Sequence, residues 1–261
     1  FEAGARLVTV KGTGGAGKTR FACRYGRSCL DGFSGGVWFV DLTEARTPEG
    51  IVHAIAMALD VPLSGEGFEA LASQVGSAIA GRGAALLILD NFEQVVAHAL
   101  TTVGRWLMTA PEVSFLVTSR AILRIEGEQV FALEPLPQVD GVLLFEMRAR
   151  AAGASWGQDQ RTRGAIGEIV AAVDGLPLAI ELAAARAVLL SPTQLLERLS
   201  ERFKLLRGGR RGSTDRQSTL RDLIRWSWDL LEPWEKAAMA QISVFREGFF
   251  MEAAEEVVDL S

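Results

Sequence analysis

Residues 12–19 (GTGGAGKT) place a lysine and a hydroxyl behind a run of glycines, in the pattern G-x-x-x-x-G-K-[ST]. That spacing suits a polyphosphate. Gly12, Gly14, Gly15 and Gly17 let the backbone curl, so that the N–H groups around Thr13 and Ala16 can face inward as an anion-binding nest. A helix opening near Lys18 adds the positive end of its dipole, and the cradle is taken to run through Arg20. Lys18 would reach β- and γ-phosphates, and the Thr19 hydroxyl would ligate Mg²⁺.

Phosphate chemistry of this kind needs an acid at the carboxyl end of a neighbouring strand. Residues 86–90 (LLILD) supply one, and Asp90 can hold Mg²⁺ opposite Thr19, directly or through water. The same Asp90 also suits the N-cap of a following helix. Glu93 either polarises an attacking water or favours the positive end of that helix. Asn91 stands where many such ATPases carry a second acid, which argues against fast hydrolysis. Residues 118–120 (TSR) close a further apolar run, and the guanidinium fork of Arg120 suits γ-phosphate oxygens. An ordinary surface arginine is the competing reading.

The elements that must position these groups alternate between strand and helix patterns as far as about residue 135. Strands are expected at 6–10, 36–41, 84–90, 114–118 and 130–133. Between them, a helix follows the glycine loop, and Thr47 caps another that starts at Pro48 and shares a face of Ile51, Ala54, Ile55 and Ala58. A third runs through Phe68, Leu71, Val75 and Ile79 and stops at Gly81 and Gly83; a fourth runs through Val95, Ala99 and Leu107. This order predicts a parallel α/β sheet.

Beyond Pro135 and Pro137 the apolar period becomes helical. Helices are expected at about 139–152, 160–173 and 177–190, and from a capping box at Ser191 and Gln194 onward. Residues 207–216 read as a basic, glycine-containing linker, with further helices at about 218–231, 233–243 and 250–259.

Composition removes several function classes. Twenty-seven basic and 32 acidic residues give a net charge of −5, with no overall pull toward nucleic acid or anionic membrane. No apolar run approaches the ~18 residues of a membrane span, and no signal-peptide pattern is present. A cytoplasmic chain is expected, and an opening on Phe1 reads as excised from something longer. Cys23 and Cys29 are expected as buried thiols, and His53 and His98 as structural. Residues 32–36 (GFSGG) match the hydrolase elbow G-x-S-x-G but follow a helix and precede a strand, the reverse of what that motif needs. No guanine-reading Asn-Lys-x-Asp occurs, so ATP or ADP is favoured over GTP. Arg207, Arg210, Arg211, Arg216 and Arg221 form a basic cluster near Trp226, Trp228 and Trp234. Yet Leu220, Leu223, Ile224, Ser227, Trp228 and Leu231 trace one helix face and read as core, and the last helix carries Glu252, Glu255, Glu256 and Asp259. Acids there repel phosphates, so direct nucleic-acid binding is not expected.

Four stretches, 12–19, 86–93 (LLILDNFE), 115–120 (FLVTSR) and 175–179 (GLPLA), together resemble the STAND-class signalling ATPases of the NB-ARC-like type found in large bacterial regulators. Residues 216–231 with 243–245 resemble the start of that family's winged-helix domain. The resemblance implies a phosphate-loop NTPase domain at 1–136, an all-α helical domain at 137–207 and a partial winged-helix domain at 208–261. It also implies that Pro177 packs against the nucleotide base, whereas local physics makes Gly175 only a helix C-cap and Pro177 a helix start. The strand bearing Arg120 should lie between those bearing the phosphate loop and Asp90. The implied activity is a switch, closed with ADP and open with ATP, with slow Mg²⁺-dependent hydrolysis and self-association on activation. Effector and sensor domains would lie elsewhere. The family's adenine-holding segment precedes the first strand, where residues 1–5 stand here, and its histidine sensing ADP would fall beyond Ser261. Two alternatives remain: a motor ATPase or small-molecule kinase with true turnover, and a regulator that reads DNA with the winged helix.

Overall fold

In a computed structural model the structure describes residues 1, 4–157, 159–207, 224–225, 228–229, 231–245 and 249–259. The linker expected at 207–216 lies outside these residues except for its first, and so does most of the helix expected at 218–231. The chain divides into two compact units, Phe1–Pro135 and Leu136–Ser261.

The first unit is built as β1 (Leu7–Lys11), α1 (Lys18–Ser28), β2 (Val37–Asp41), α2 (Pro48–Ala58), α3 (Phe68–Ala80), β3 (Leu86–Asp90), α4 (Arg105–Thr109), β4 (Ser114–Ser119) and β5 (Glu128–Ala132). Its five strands form one sheet in the order β2-β3-β4-β1-β5. Every adjacent pair is parallel. β3 and β4 are buried along their whole length, which explains their uninterrupted apolar sequence. Side chains alternate between faces, so β1 to β4 feed two cores, whereas β5 at the sheet edge is mostly exposed. Leu87, Leu89, Phe115, Val117 and Leu7 pack with α2, α3 and Trp106 in one cluster. Leu86, Ile88, Leu116 and Val10 pack with Ala22 of α1 in another.

The helix ends follow their local chemistry. Thr47 Oγ1 accepts from the Gly50 N–H at 3.2 Å, with Pro48 in the first turn of α2. The buried face of α2 is Ile51, Val52, Ile55 and Ala56; Ala54 and Ala58, expected to share it, are half-buried flanks. After α3 the chain turns out through Gly83 at φ +67°.

The single helix expected through Val95, Ala99 and Leu107 is instead a broken path. Two 3₁₀ turns, Phe92–Gln94 and Val96–His98, and a π turn, Leu100–Gly104, precede the short α4. The hydroxyls of Thr101 and Thr102 both donate to the His98 carbonyl, at 3.1 and 2.7 Å, and compete with the backbone ladder there. The ladder is displaced by one residue, with the Gly104 N–H reaching the Ala99 carbonyl at 2.9 Å.

The 32–36 motif has a packing explanation. A Cβ on Gly35 would lie 2.0 Å from the Arg82 carbonyl oxygen, so glycine is required where this loop crosses the end of α3.

The second unit comprises α5 (Gln138–Ala151), α6 (Gln160–Ala172), α7 (Pro177–Arg186), α8 (Pro192–Arg207), α9 (Pro233–Ile242) and α10 (Met251–Val257). Phe145, Ile166, Ile169, Val170, Ile180 and Leu195 lie in its core. Gly141 lets α5 approach α6, because a Cβ there would stand 2.5 Å from Val170 Cγ1. α8 opens as the box predicts: Gln194 N–H donates to Ser191 Oγ at 3.3 Å and Ser191 N–H to Gln194 Oε1 at 3.0 Å. α7 stops at Arg186, short of the expected 190, and Leu189 is left 75% exposed. Ile224 and Trp228, expected in a core, are 50% and 41% exposed. Among the described residues from 224 onward only Ala254 is buried, and Leu220, Leu223 and Ser227 of the expected stripe lie outside the described residues.

Candidate functional site

β1 leads straight into the glycine loop, and the loop into α1, so the peptide N–H groups of 13–19 gather at the carboxyl end of the sheet. Gly15 and Gly17 take φ of +78° and +91°, left-handed values that a side chain would oppose. Gly17 is the N-cap of α1 with no side chain capping it, which leaves the first N–H groups of the helix to face an anion. The Gly12 N–H is tied to the Ser119 carbonyl at 3.3 Å, joining the loop to the end of β4.

Lys18 is only 9% exposed, and its Nζ donates to the Thr13 carbonyl at 3.2 Å. Burial pushes its pKa below the ordinary lysine value; Glu93 and, less strongly, Asp90 pull it back up, while Arg120 lowers it further. Thr19, the next residue, donates from Oγ1 to Asp90 Oδ2 at 2.8 Å. Thr118 of β4 donates to the other oxygen, Oδ1. The buried Asp90 is thus fixed by the phosphate loop on one side and by the adjacent strand on the other. Among the described residues its contacts are to side chains, not to N–H groups of a helix that it would cap. Hard oxygen donors on Thr19 and Asp90, already 2.8 Å apart, fit a Mg²⁺ ion: Thr19 by its hydroxyl, and Asp90 directly or through water.

Arg120 follows β4 and leans back over the loop. Its Nη2 would lie 3.2 Å from a Cβ on Gly14, while its Nε pairs with Glu93 Oε1 at 3.1 Å. The other carboxylate oxygen of Glu93, Oε2, is buried and has no hydrogen-bond partner among the described residues. The sheet order therefore gathers Lys18, Thr19, Asp90, Glu93 and Arg120 at one place, with β4 between β1 and β3 as expected. Arg20 is on the exposed side of α1, and Pro177 opens α7 in the second unit.

Two supporting residues, Thr118 and Asp41, are not singled out by the sequence reading. Thr118 was seen only as part of a strand end, not as the donor that fixes Asp90. Asp41 closes β2 in register with Asp90, and the shared pattern of an apolar strand ending in Asp was the signal for it. Asn91 links the two: in a left-handed conformation at φ +62°, its Nδ2 lies 3.1 Å from Asp41 Oδ1, 2.8 Å from Thr43 Oγ1 and 3.2 Å from Asp90 Oδ2. Although burial raises the Asp41 pKa, hydrogen bonds from Thr43 and Asn91 outweigh it and hold that carboxyl below its usual range. Cys23 and Cys29 are free and half-buried, less enclosed than expected. Burial raises both thiol pKa values, and the Asp90 charge adds to the effect at Cys23, so neither has thiolate character. No cluster of three or more metal-binding side chains of the His, Cys, Asp or Glu type occurs among the described residues.

Comparison with known proteins places this geometry. Residues 2–120 match the family described as AAA domain, so this part of the chain is a phosphate-loop NTPase domain. An uncharacterised protein of Mycobacterium tuberculosis is 32% identical over 97% of this chain and 64% of its own length. A second protein of that organism, provisionally named an HTH-type transcriptional regulator, is 36% identical over 97% of this chain but only 28% of its own length. The chain thus spans less than two thirds of either relative. A solved structure from Pyrococcus horikoshii, described as a signal transduction ATPase with numerous domains and a tetratricopeptide repeat sensor, aligns with a TM-score of 0.52 at 14% identity. That alignment covers 96% of this chain and 34% of the other, and at this identity it speaks for the fold.

Proposed function

We propose that the chain is the ATP/ADP-binding switch of a STAND-type, NB-ARC-like regulatory ATPase. ADP would favour a closed state, ATP an open and self-associating one, and slow Mg²⁺-dependent hydrolysis would reset it. The observation that carries the reading is the double anchoring of Asp90 by Thr19 of the phosphate loop and Thr118 of β4. That arrangement has little use in a glycine turn that binds nothing. The regulator name of one relative supports a signalling role over a metabolic one.

Each residue has a part in this reading. The loop N–H groups and the α1 dipole bind the α- and β-phosphates, and Lys18 bridges to the terminal one. Mg²⁺, when bound, neutralises charge on the phosphates from the Thr19 and Asp90 side. Arg120 contacts the γ-phosphate, which is where ATP and ADP differ in affinity; a ligand shifts the switch only by such a difference. Asn91, a neutral donor between Asp41 and Asp90, supplies no base, in keeping with slow turnover. A base contact by Pro177 belongs to the same proposal. So does a winged helix past residue 208, which would be structural: α10 carries Glu252, Glu255 and Glu256 and would repel a DNA backbone.

Denaturing the purified protein and identifying the released nucleotide tests the reading, together with calorimetry of ADP and ATP binding. ADP recovered or bound, and lost in Lys18→Ala, is the expected result. Steady-state turnover far above one per minute would instead support an ordinary ATPase or kinase. Absence of nucleotide and of binding would overturn the proposal.

A further inference from the structure

Glu93 has two oxygens in very different circumstances. Oε1 accepts from Arg120 Nε at 3.1 Å, while Oε2 is buried without a partner among the described residues. Arg120 is correspondingly divided. Its Nε edge is committed to Glu93, and its Nη2 lies over the phosphate loop at Gly14. A guanidinium is a rigid planar fork, so fixing one edge fixes the direction of the other. Of the charges acting on Lys18, Glu93 has the largest effect, ahead of Arg120 and Asp90. One carboxylate thus stands between two cations that both serve the loop.

We infer that Glu93 is a positioning residue that sets the preference for a nucleoside triphosphate over a diphosphate by aiming Arg120 at the γ-phosphate. This rests on the nucleotide-switch reading and deepens it. This is a third role beside the two that the sequence left open for Glu93, and it rests on the engaged oxygen, which holds an arginine. The Arg120 side chain is 51% exposed, so without its ion pair it would sample other directions, and part of each γ-phosphate contact would be lost to reordering. A half-exposed pair of this kind changes an equilibrium by about two- to fivefold.

The test is a double-mutant cycle on the chain itself, read by calorimetry with ADP and with a non-hydrolysable ATP analogue, each with Mg²⁺. Glu93→Ala is expected to lower the ratio of analogue affinity to ADP affinity by about two- to fivefold. Glu93→Gln keeps an acceptor for Nε and should lose less. In an Arg120→Ala background the Glu93→Ala effect on the ratio should vanish. Retained ADP binding reports that each variant is folded. A ratio that rises in Glu93→Ala would mean that the carboxylate merely repels the γ-phosphate, and would overturn the inference. So would an unchanged ratio with hydrolysis abolished, the signature of a base. An effect that persists without Arg120 would overturn it as well. Should the unaltered chain bind neither nucleotide, the switch reading falls and this inference with it; ADP binding with an unmoved ratio sinks this inference alone.

Discussion

At the scale of single residues, the site trades stability for binding capacity. Lys18 is nearly buried and its pKa is lowered by that burial, so the folded state disfavours the charge that phosphate binding needs. The sign follows from linkage: a lysine depressed on folding costs stability below its folded pKa, and the cost is relieved as pH rises toward the unfolded value. Lys18→Met is therefore expected to raise the urea midpoint at pH 7, by a margin that shrinks toward about pH 10, while abolishing nucleotide binding. A midpoint below that of the parent chain at pH 7 would contradict this. Thr9 makes a simpler case. It sits in β1 fully buried, and its hydroxyl has no hydrogen-bond partner among the described residues. Thr9→Val removes an unsatisfied group at nearly constant shape and should stabilise the fold by about 1 kcal/mol in denaturant titrations.

At the scale of elements, what was legible depended on whether the deciding contact was local. The glycine loop, the Thr47 cap, the Ser191–Gln194 box and the acid-ended β3 each declare themselves within a few residues, and each stands where the spacing puts it. The path between β3 and α4 does not. Its apolar spacing is helical, but two threonine hydroxyls converging on the His98 carbonyl change the ladder, and residue types alone do not reveal that convergence. Thr118 and Asp41 escaped for a related reason, since their roles depend on which strands become neighbours. Gly35 gives a direct test of an element junction. Its missing Cβ faces backbone, which cannot swing aside, so Gly35→Ala should cost about 1–3 kcal/mol in urea unfolding. An unchanged midpoint would mean that the loop and the end of α3 separate freely.

At the scale of the whole molecule, two units pack separately, one on both faces of the sheet and one among α5–α8. Two unfolding transitions are expected in calorimetry. Gly35→Ala should lower one of them. Gly141→Ala, which drives a methyl into Val170, should lower the other. A single transition moved equally by both substitutions would show that the units unfold as one. Among the described residues, no helix is long and apolar enough to cross a membrane.

The sheet order has a consequence for how the protein is made. β1 leaves the ribosome ahead of the other strands, yet its neighbours are β4 and β5: Leu7 pairs with Phe115 and with Glu128. Throughout synthesis of the intervening residues, β1 and the glycine loop behind it have no lateral partner, whereas β2 and β3 can already pair with each other. Closing so long a loop is slow, and an unpaired apolar strand is exposed to wrong partners meanwhile. The segment that defines the protein chemically is thus among the last to be locked in place. A nascent chain halted before residue 114 would carry the whole glycine loop with no wall to set it against.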